Sequence, residues 1–256
     1  MESTGLAIGA LGLASLFNNV VDCFEYVQIG RSFGKSFQTS LLKLDIARLR
    51  LSRWGQAVGL VHLDDIQSLD GTKLSPQDIP GANKILGQIE ELFADTEGIS
   101  KRFMQHAPVD QSLALYDSTT DLEETAASLH KKMRDLAIRR QSKAGLRQKA
   151  KWALYEEKHL TRLIEDITTL VDSLVTMFPA AEAAQKILCD VEVSEMNVEN
   201  SLPLLKGAAA DQDKLLSDAI SKAIGSPSSQ SYNVSFAGNN WGFQLGYNAG
   251  IISGLR

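Results

Sequence analysis

The side chains that most often carry catalysis are few in this chain and badly spaced for it. The four histidines, His62, His106, His130 and His159, are scattered, with no His-Glu-x-x-His pair to hold a metal. There is no Gly-x-x-x-x-Gly-Lys loop to cradle a phosphate and no Gly-x-Ser-x-Gly elbow to present a nucleophile. Cys23 and Cys189 form no motif, and two thiols in so long a chain suit a reducing compartment. Carboxylates are plentiful, but nothing in their spacing brings two together in a cleft. The chain is therefore expected to be no enzyme and to need no metal or cofactor. Three other groups of residues stand out, and their chemistry is physical: apolar transfer, charge attraction and stacking.

The first is Ser3 to Val21, nineteen residues without a charge. Leu6, Ile8, Leu11, Leu13, Leu16, Phe17, Val20 and Val21 make it strongly apolar, with Gly5, Gly9 and Gly12 among them. A secretory signal is disfavoured because no Lys or Arg precedes the run. A permanent membrane span is marginal in length and contains Asn18 and Asn19. A helix that covers a bundle core at rest fits the pattern. The same helix has the composition to enter a bilayer, where its small residues would let copies pack closely. These candidate membrane-inserting residues are followed at once by the acids Asp22 and Glu25.

The second group is cationic. Lys131, Lys132, Arg134, Arg139, Arg140, Lys143, Arg147, Lys149 and Lys151 face the single acid Asp135 within residues 131–151. One reading is a solvated helix face neutralised by the acids of residues 90–97 and 182–199. The other is a patch for anionic lipid head groups, with Lys131, Lys132, Arg139, Arg140, Lys143 and Arg147 as the candidates. Nucleic acid is not an expected partner, because the body as a whole is acidic and no nucleic-acid motif accompanies the patch.

The third group lies at the C-terminus. Glycines recur every fourth residue at 238, 242, 246, 250 and 254, but residues 232–255 hold too many amides for a lipid-facing helix. Laid out as a strand, alternate residues share a face. One face is then Gly238, Asn240, Gly242, Gln244, Gly246, Asn248 and Gly250, a palindrome centred on Gln244. The other mirrors about the same centre, Phe243 opposite Leu245 and Trp241 opposite Tyr247. Neither face carries a charge. In-register copies would stack their amides and aromatics without repulsion, which is what a cross-β assembly requires. The competing reading is a Gly/Asn tail without structure.

The elements that must carry these groups are helices. The 256 residues are 44% hydrophobic and 22% charged, the balance of a folded protein rather than a disordered or polytopic membrane chain. Three- and four-residue spacing marks helical stripes through Leu41–Val58, Ile85–Phe103, Leu122–Leu136 and Leu160–Phe178, the last ended by Pro179. Shorter helices are expected over residues 180–193 and 211–224, and a loop over residues 64–81. The net charge is −5, yet residues 223–255 hold no charge at all. That break divides the chain into an all-α helical bundle at 1–222, a Gly/Ser/Pro linker at 223–231 and a tail at 232–256.

Against this background the run from Leu16 to Arg31, continuing to Phe33-Gly34, resembles the HeLo domain of the fungal HET-S/HET-s heterokaryon-incompatibility proteins. So do Leu44-Asp45-Ile46-Ala47, Leu51-Ser52-Arg53-Trp54-Gly55, Arg139-Arg140-Gln141, Trp152-Ala153-Leu154-Tyr155 and Phe178-Pro179. The resemblance implies a helical cell-death execution domain. In that family an amyloid signal on the C-terminal tail refolds the system, and the apolar N-terminal segment is released to permeabilise membranes. It also implies homotypic assembly, a nucleotide-binding receptor carrying a matching amyloid motif, and membrane lipids as partners. The location it implies is the cytoplasm at rest and the plasma membrane on activation. Asp22 and Glu25 match acidic positions of the family's N-terminal block, either as the end of an inserting stretch or as ordinary surface charges. Ser32 matches neither the histidine of toxic alleles nor the proline of inactive ones.

The tail departs from that family's two charged repeats. It resembles instead the pseudo-palindromic fungal motif related to the RHIM of animal necroptosis proteins, with Phe243-Gln244-Leu245-Gly246 at the core. Val27-Gln28-Ile29-Gly30 fits the same short pattern, but is expected on a helix and read as coincidence. Two functions follow: an executor that disrupts membranes after amyloid templating, or a non-lethal prion-like scaffold that only polymerises.

Overall fold

A computed structural model describes residues 2–30, 36–61, 72–107, 114–118, 120–141, 151–197 and 201–225, with side chains from Gly9 onward. Ser32, Lys143, Arg147, the side chains of Leu6 and Ile8, and the whole of residues 226–256 with the expected amyloid core lie outside the described residues. Among the described residues the chain forms eight α-helices and one pair of short strands. In order these are α1 (Glu2–Tyr26), β1 (Val27–Ile29), α2 (Phe37–Val58), α3 (Ile79–His106), α4 (Glu124–Arg139), β2 (Trp152–Leu154), α5 (Glu157–Met177), α6 (Glu182–Met196), α7 (Ser201–Ala209) and α8 (Lys214–Gly225).

The amphipathic stripes fall on α2, α3, α4 and α5. On α5, Leu160, Leu163, Ile164, Ile167, Val171 and Leu174 are all buried, and Phe178, just before Pro179, closes that stripe. On α3, Ile85, Ile89 and Phe93 are buried, while Ile99 and Phe103 at its far end are only half-covered. Helix α2 does not follow a one-sided pattern, because it is covered on every side. Leu41, Leu44, Leu51 and Trp54 belong to one core, shared with α1, α3 and α5. Leu42, Ile46 and Leu49 belong to a second, shared with α4, α6, α7 and α8. The molecule is thus two apolar layers joined through a central helix. That helix ends at Gly59, whose φ of 93° is a left-handed conformation that costs glycine little.

Several elements depart from the sequence-based expectation. Val27-Gln28-Ile29 is a strand, not the continuation of a helix: it pairs in parallel with Trp152-Ala153-Leu154. Two β-branched residues around a glutamine, followed by Gly30, favour extended backbone once a partner strand is at hand. Helix α7 was not expected, its nine residues being too few to show a period. Helix α6 runs to Met196, three residues past the expected end. Helix α8 reaches Gly225, so residues 223–225, placed in the linker by the charge break, are helical. Loss of charge does not end a helix when the residues are Ala and Ile.

Candidate functional site

Helix α1 is a single helix from Glu2 to Tyr26, longer than the charge-free run that predicts it. It packs on α3 and α2. Ala10, Leu13, Ala14, Phe17, Val20, Val21, Cys23 and Phe24 are buried. Leu16 is half-buried, and Leu11 is 47% exposed. From Gly9 onward, burial covers the inner face of the helix, while Leu11, Gly12 and Ser15 lie on the wet side.

The seat is closely shaped. A Cβ on Gly55 would come within 2.3 Å of the Phe17 ring, so only glycine lets α1 approach α2 this closely. Phe17 lies 6.2 Å from Trp54, centroid to centroid, and Trp54 lies 5.6 Å from Phe178. Phe24 meets Phe93 edge-on at 4.9 Å. Helix α1 is thus keyed into the core by aromatics that reach from α2, α3 and the end of α5.

Where α1 ends, the contacts become polar. Asp22 is buried and accepts a hydrogen bond from Gln141 Nε2 at 2.7 Å. The same amide nitrogen donates to the carbonyl of Asn18 at 3.3 Å. Glu25 accepts a forked pair from Arg134 on α4, Nε to Oε1 at 2.8 Å and Nη2 to Oε2 at 2.8 Å. Arg48 on α2 adds a third donor, Nη1, to Glu25 Oε1. Burial alone would raise the Glu25 carboxyl. The hydrogen bonds and charges of Arg134 and Arg48 outweigh it and lower its pKa to about 2. Neither acid is an ordinary surface charge: both pin the end of α1 to the rest of the bundle.

About one turn along α4 and α2, His130 Nδ1 meets Asp45 Oδ2 at 2.7 Å. Burial pushes the Asp45 carboxyl above its usual range. For His130, burial works against the charged ring, but the hydrogen bond and charge of Asp45 prevail and raise its pKa. Beyond α1 the chain enters β1 directly. Gly30 N–H donates to the carbonyl of Leu154 at 2.7 Å, and a Cβ on Gly30 would lie 2.4 Å from the Tyr155 ring.

Four cations of this segment, Lys132, Arg134, Arg139 and Arg140, are engaged by groups of the fold itself. Arg134 belongs to Glu25, Lys132 Nζ donates to the Glu195 carbonyl, and Arg139 pairs with the Glu195 carboxylate. Arg140 is corrected as a head-group candidate: it is buried and pairs with Glu192. Glu192 is shared with Arg53 of α2, whose Nη2 lies 2.8 Å from Glu192 Oε2 and 2.7 Å from Asp213 Oδ2. Two cations and two anions thus balance inside the second core. Asp213 also accepts the Leu216 N–H at 3.2 Å, capping α8. Of the head-group candidates with described side chains, Lys131 and Arg139 are exposed, and Lys132 is half-buried.

The sequence reading missed Arg48, Arg53, Glu192 and Asp213. One signal could have found the first two: Asp45, Arg48 and Arg53 interrupt a helix that is apolar on all sides, and buried charges require partners. Among the described residues no group of three His, Cys, Asp or Glu side chains could hold a metal, and no helix is long and apolar enough to cross a membrane.

The helical bundle has counterparts among known proteins. The chain is 38% identical over 223 residues to heterokaryon incompatibility protein s of Podospora anserina, covering 87% of this chain and 75% of that protein. It is 37% identical over the same length and coverage to heterokaryon incompatibility protein S of a Podospora anserina strain. The solved HET-S N-terminal domain superposes with a TM-score of 0.75 at 38% identity, covering 88% of this chain and 98% of that domain. A doubly substituted HET-s N-terminal domain gives a TM-score of 0.74 at 37% identity, covering 83% and 98%. A family model described as HeLo, prion-inhibition and propagation, matches residues 5–205. Both the fold and the sequence thus place the chain in the HeLo family.

Proposed function

We propose that this chain is a cell-death executor of the heterokaryon-incompatibility kind, which permeabilises membranes once its C-terminal motif has been templated into amyloid. The observation that carries this reading is α1: a terminal helix with a charge-free run of nineteen residues, held in the bundle by shape on one face and by ion pairs at its end. A helix held this way can be released without unravelling its own hydrogen bonds. Kinship with heterokaryon incompatibility proteins S and s supports the same role.

In this reading residues 1–225, to the end of α8, are the executing body, 226–231 the tether and 232–256 the amyloid signal. Gly238, Asn240, Trp241, Gly242, Phe243, Gln244, Leu245, Gly246, Tyr247, Asn248 and Gly250 form the RHIM-like cross-β core. A nucleotide-binding receptor with a matching motif supplies the template, and copies of this chain extend it. Bodies gathered on the fibril are crowded until α1 leaves. Leu6, Ile8, Leu11, Leu13, Leu16, Phe17, Val20 and Val21 then enter lipid, with Asp22 at the interface. Lys131 and Arg139 face anionic head groups at the plasma membrane, to which the protein moves from the cytoplasm.

The test is leakage of liposomes seeded with fibrils of residues 229–256. Wild-type protein leaks the vesicles. Deletion of residues 1–21 abolishes leakage, and undiminished leakage by the deletion would falsify the executor reading. One observation favours the alternative, a non-lethal scaffold that polymerises without insertion: no helix among the described residues is long and apolar enough to span a bilayer. A scaffold assembles fibrils with seeds and leaks no vesicles.

A further inference from the structure

We infer that the cleft between the end of α1, β1, α2 and α4 is a binding site for a small anion bearing a phosphate or carboxylate group, gripped by Arg48. The cleft encloses about 220 Å³ and is lined by Glu25, Asp45, Arg48, His130, Arg134 and Lys151 among its charged groups. At roughly 30 Å³ per water molecule, it accommodates a phosphate with a small organic substituent.

Arg48 is the central observation. The residue is 3% exposed, and its Nη1 is committed to Glu25. Its Nε and Nη2 are buried with no hydrogen-bond partner in the protein. Those two N–H groups point the same way along one edge of a planar guanidinium, the edge that matches two oxygens of a carboxylate or phosphate. A buried charged donor without an acceptor is costly, so its persistence in a lined cleft marks a place for an acceptor from outside.

The charges around it select an anion. Both acids of the cleft are already engaged: Glu25 by Arg134 and Arg48, and Asp45 by His130. Against Glu25 and Asp45 stand Arg48, Arg134, Lys151 and the His130 ring, so the surplus is positive. Lys151 is exposed at the rim, where it can meet an incoming anion. An anion held by Arg48 and Lys151 would tie α2 to the segment that leads into β2, so binding would raise the stability of the resting bundle by mass action.

The experiment uses the full-length chain and two sources of the same chemistry. Pyrophosphate is titrated at constant ionic strength, balanced with chloride, by calorimetry and by the side-chain Nε–Hε resonances of arginine. Phosphatidylcholine vesicles with and without phosphatidic acid form the second arm. The expected result is saturable binding of one or both, a melting temperature that rises with ligand, and a shifted Arg48 Nε–Hε signal. Arg48→Lys keeps the charge beside Glu25 but removes the fork, and Lys151→Gln alters only the exposed rim. Each should weaken binding by at least about tenfold, the loss of one charge-assisted hydrogen bond. Binding of pyrophosphate alone assigns a free anion, and binding of phosphatidic acid vesicles alone assigns a head group. Absence of saturable binding in both arms, or wild-type affinity in both variants, overturns the site.

Discussion

Leu11 and Leu13 lie two residues apart on α1 in opposite surroundings, 47% and 0% exposed. Leu13→Ala should cost about 2–5 kcal/mol of stability, as buried leucine truncations do, measured by urea denaturation. Leu11→Lys should change resting stability by no more than about 0.5 kcal/mol. In a membrane the same lysine would cost about 2.5–3.5 kcal/mol near a helix centre. Leu11→Lys therefore separates the two states: normal folding by circular dichroism with seeded leakage lost is the expected pair of results, and full leakage would remove α1 from the lipid. Glu25 gives a second residue-scale expectation. Its carboxyl titrates at about 2 in the fold against a usual 4.5. Its contribution is complete above pH 4.5 and disappears as pH falls through about 2, with about 3 kcal/mol as the upper bound. His130 works in the opposite direction, because its folded pKa is raised above 6.5. Its contribution is complete below pH 6.5 and is lost as pH rises through the folded value. Denaturation midpoints followed against pH should show both limbs; Glu25→Gln flattens the acid one and His130→Asn the alkaline one.

The long helices could be read in the sequence because α3, α4 and α5 bury one stripe at helical spacing and α2, covered on every side, is rich in apolar residues throughout. The short elements could not. β1 and β2 are three residues each, and a three-residue strand exists only through a partner far along the chain. Asp22 and Glu25 were recognisable as acids at the end of an apolar run. Their partners Gln141, Arg134 and Arg48 are 119, 109 and 23 residues away, and only the fold brings them together. Arg140 was misplaced for the same reason: in a cationic run it looks like its exposed neighbours, but α6 covers it with Glu192. The interior network between α2, α6 and α8 yields its own expectation. Arg53→Met leaves Glu192 and Asp213 with one less cation and should cost about 3–5 kcal/mol, read from guanidinium denaturation. A loss below about 1 kcal/mol would mean that Arg140, on Glu192, and Arg50, whose Nε lies 3.9 Å from Asp213 Oδ1, satisfy both acids alone.

Across the whole molecule, the proposed division of labour separates a tail whose one charged side chain is Arg256 from a body that carries all the others. A peptide of residues 229–256 should form fibrils with cross-β diffraction, and Gln244→Lys should abolish them by stacking like charges on every rung. Fibrils that form equally well from that variant would rule out the strand register proposed for the tail. The parallel β1–β2 pair bears on the other end of the chain and on a different moment in its life. Val27 meets Trp152, 125 residues further along, and cannot do so until that residue has been made. At about 5–20 residues per second, α1 waits roughly 6–25 s on a translating ribosome before the strand that anchors its end emerges. During that interval α2 and α3 can already cover its apolar face, but its C-terminal end has no β2 strand to hold it. Under the proposed executor role, that interval is when the end of α1 is least secured against entering lipid.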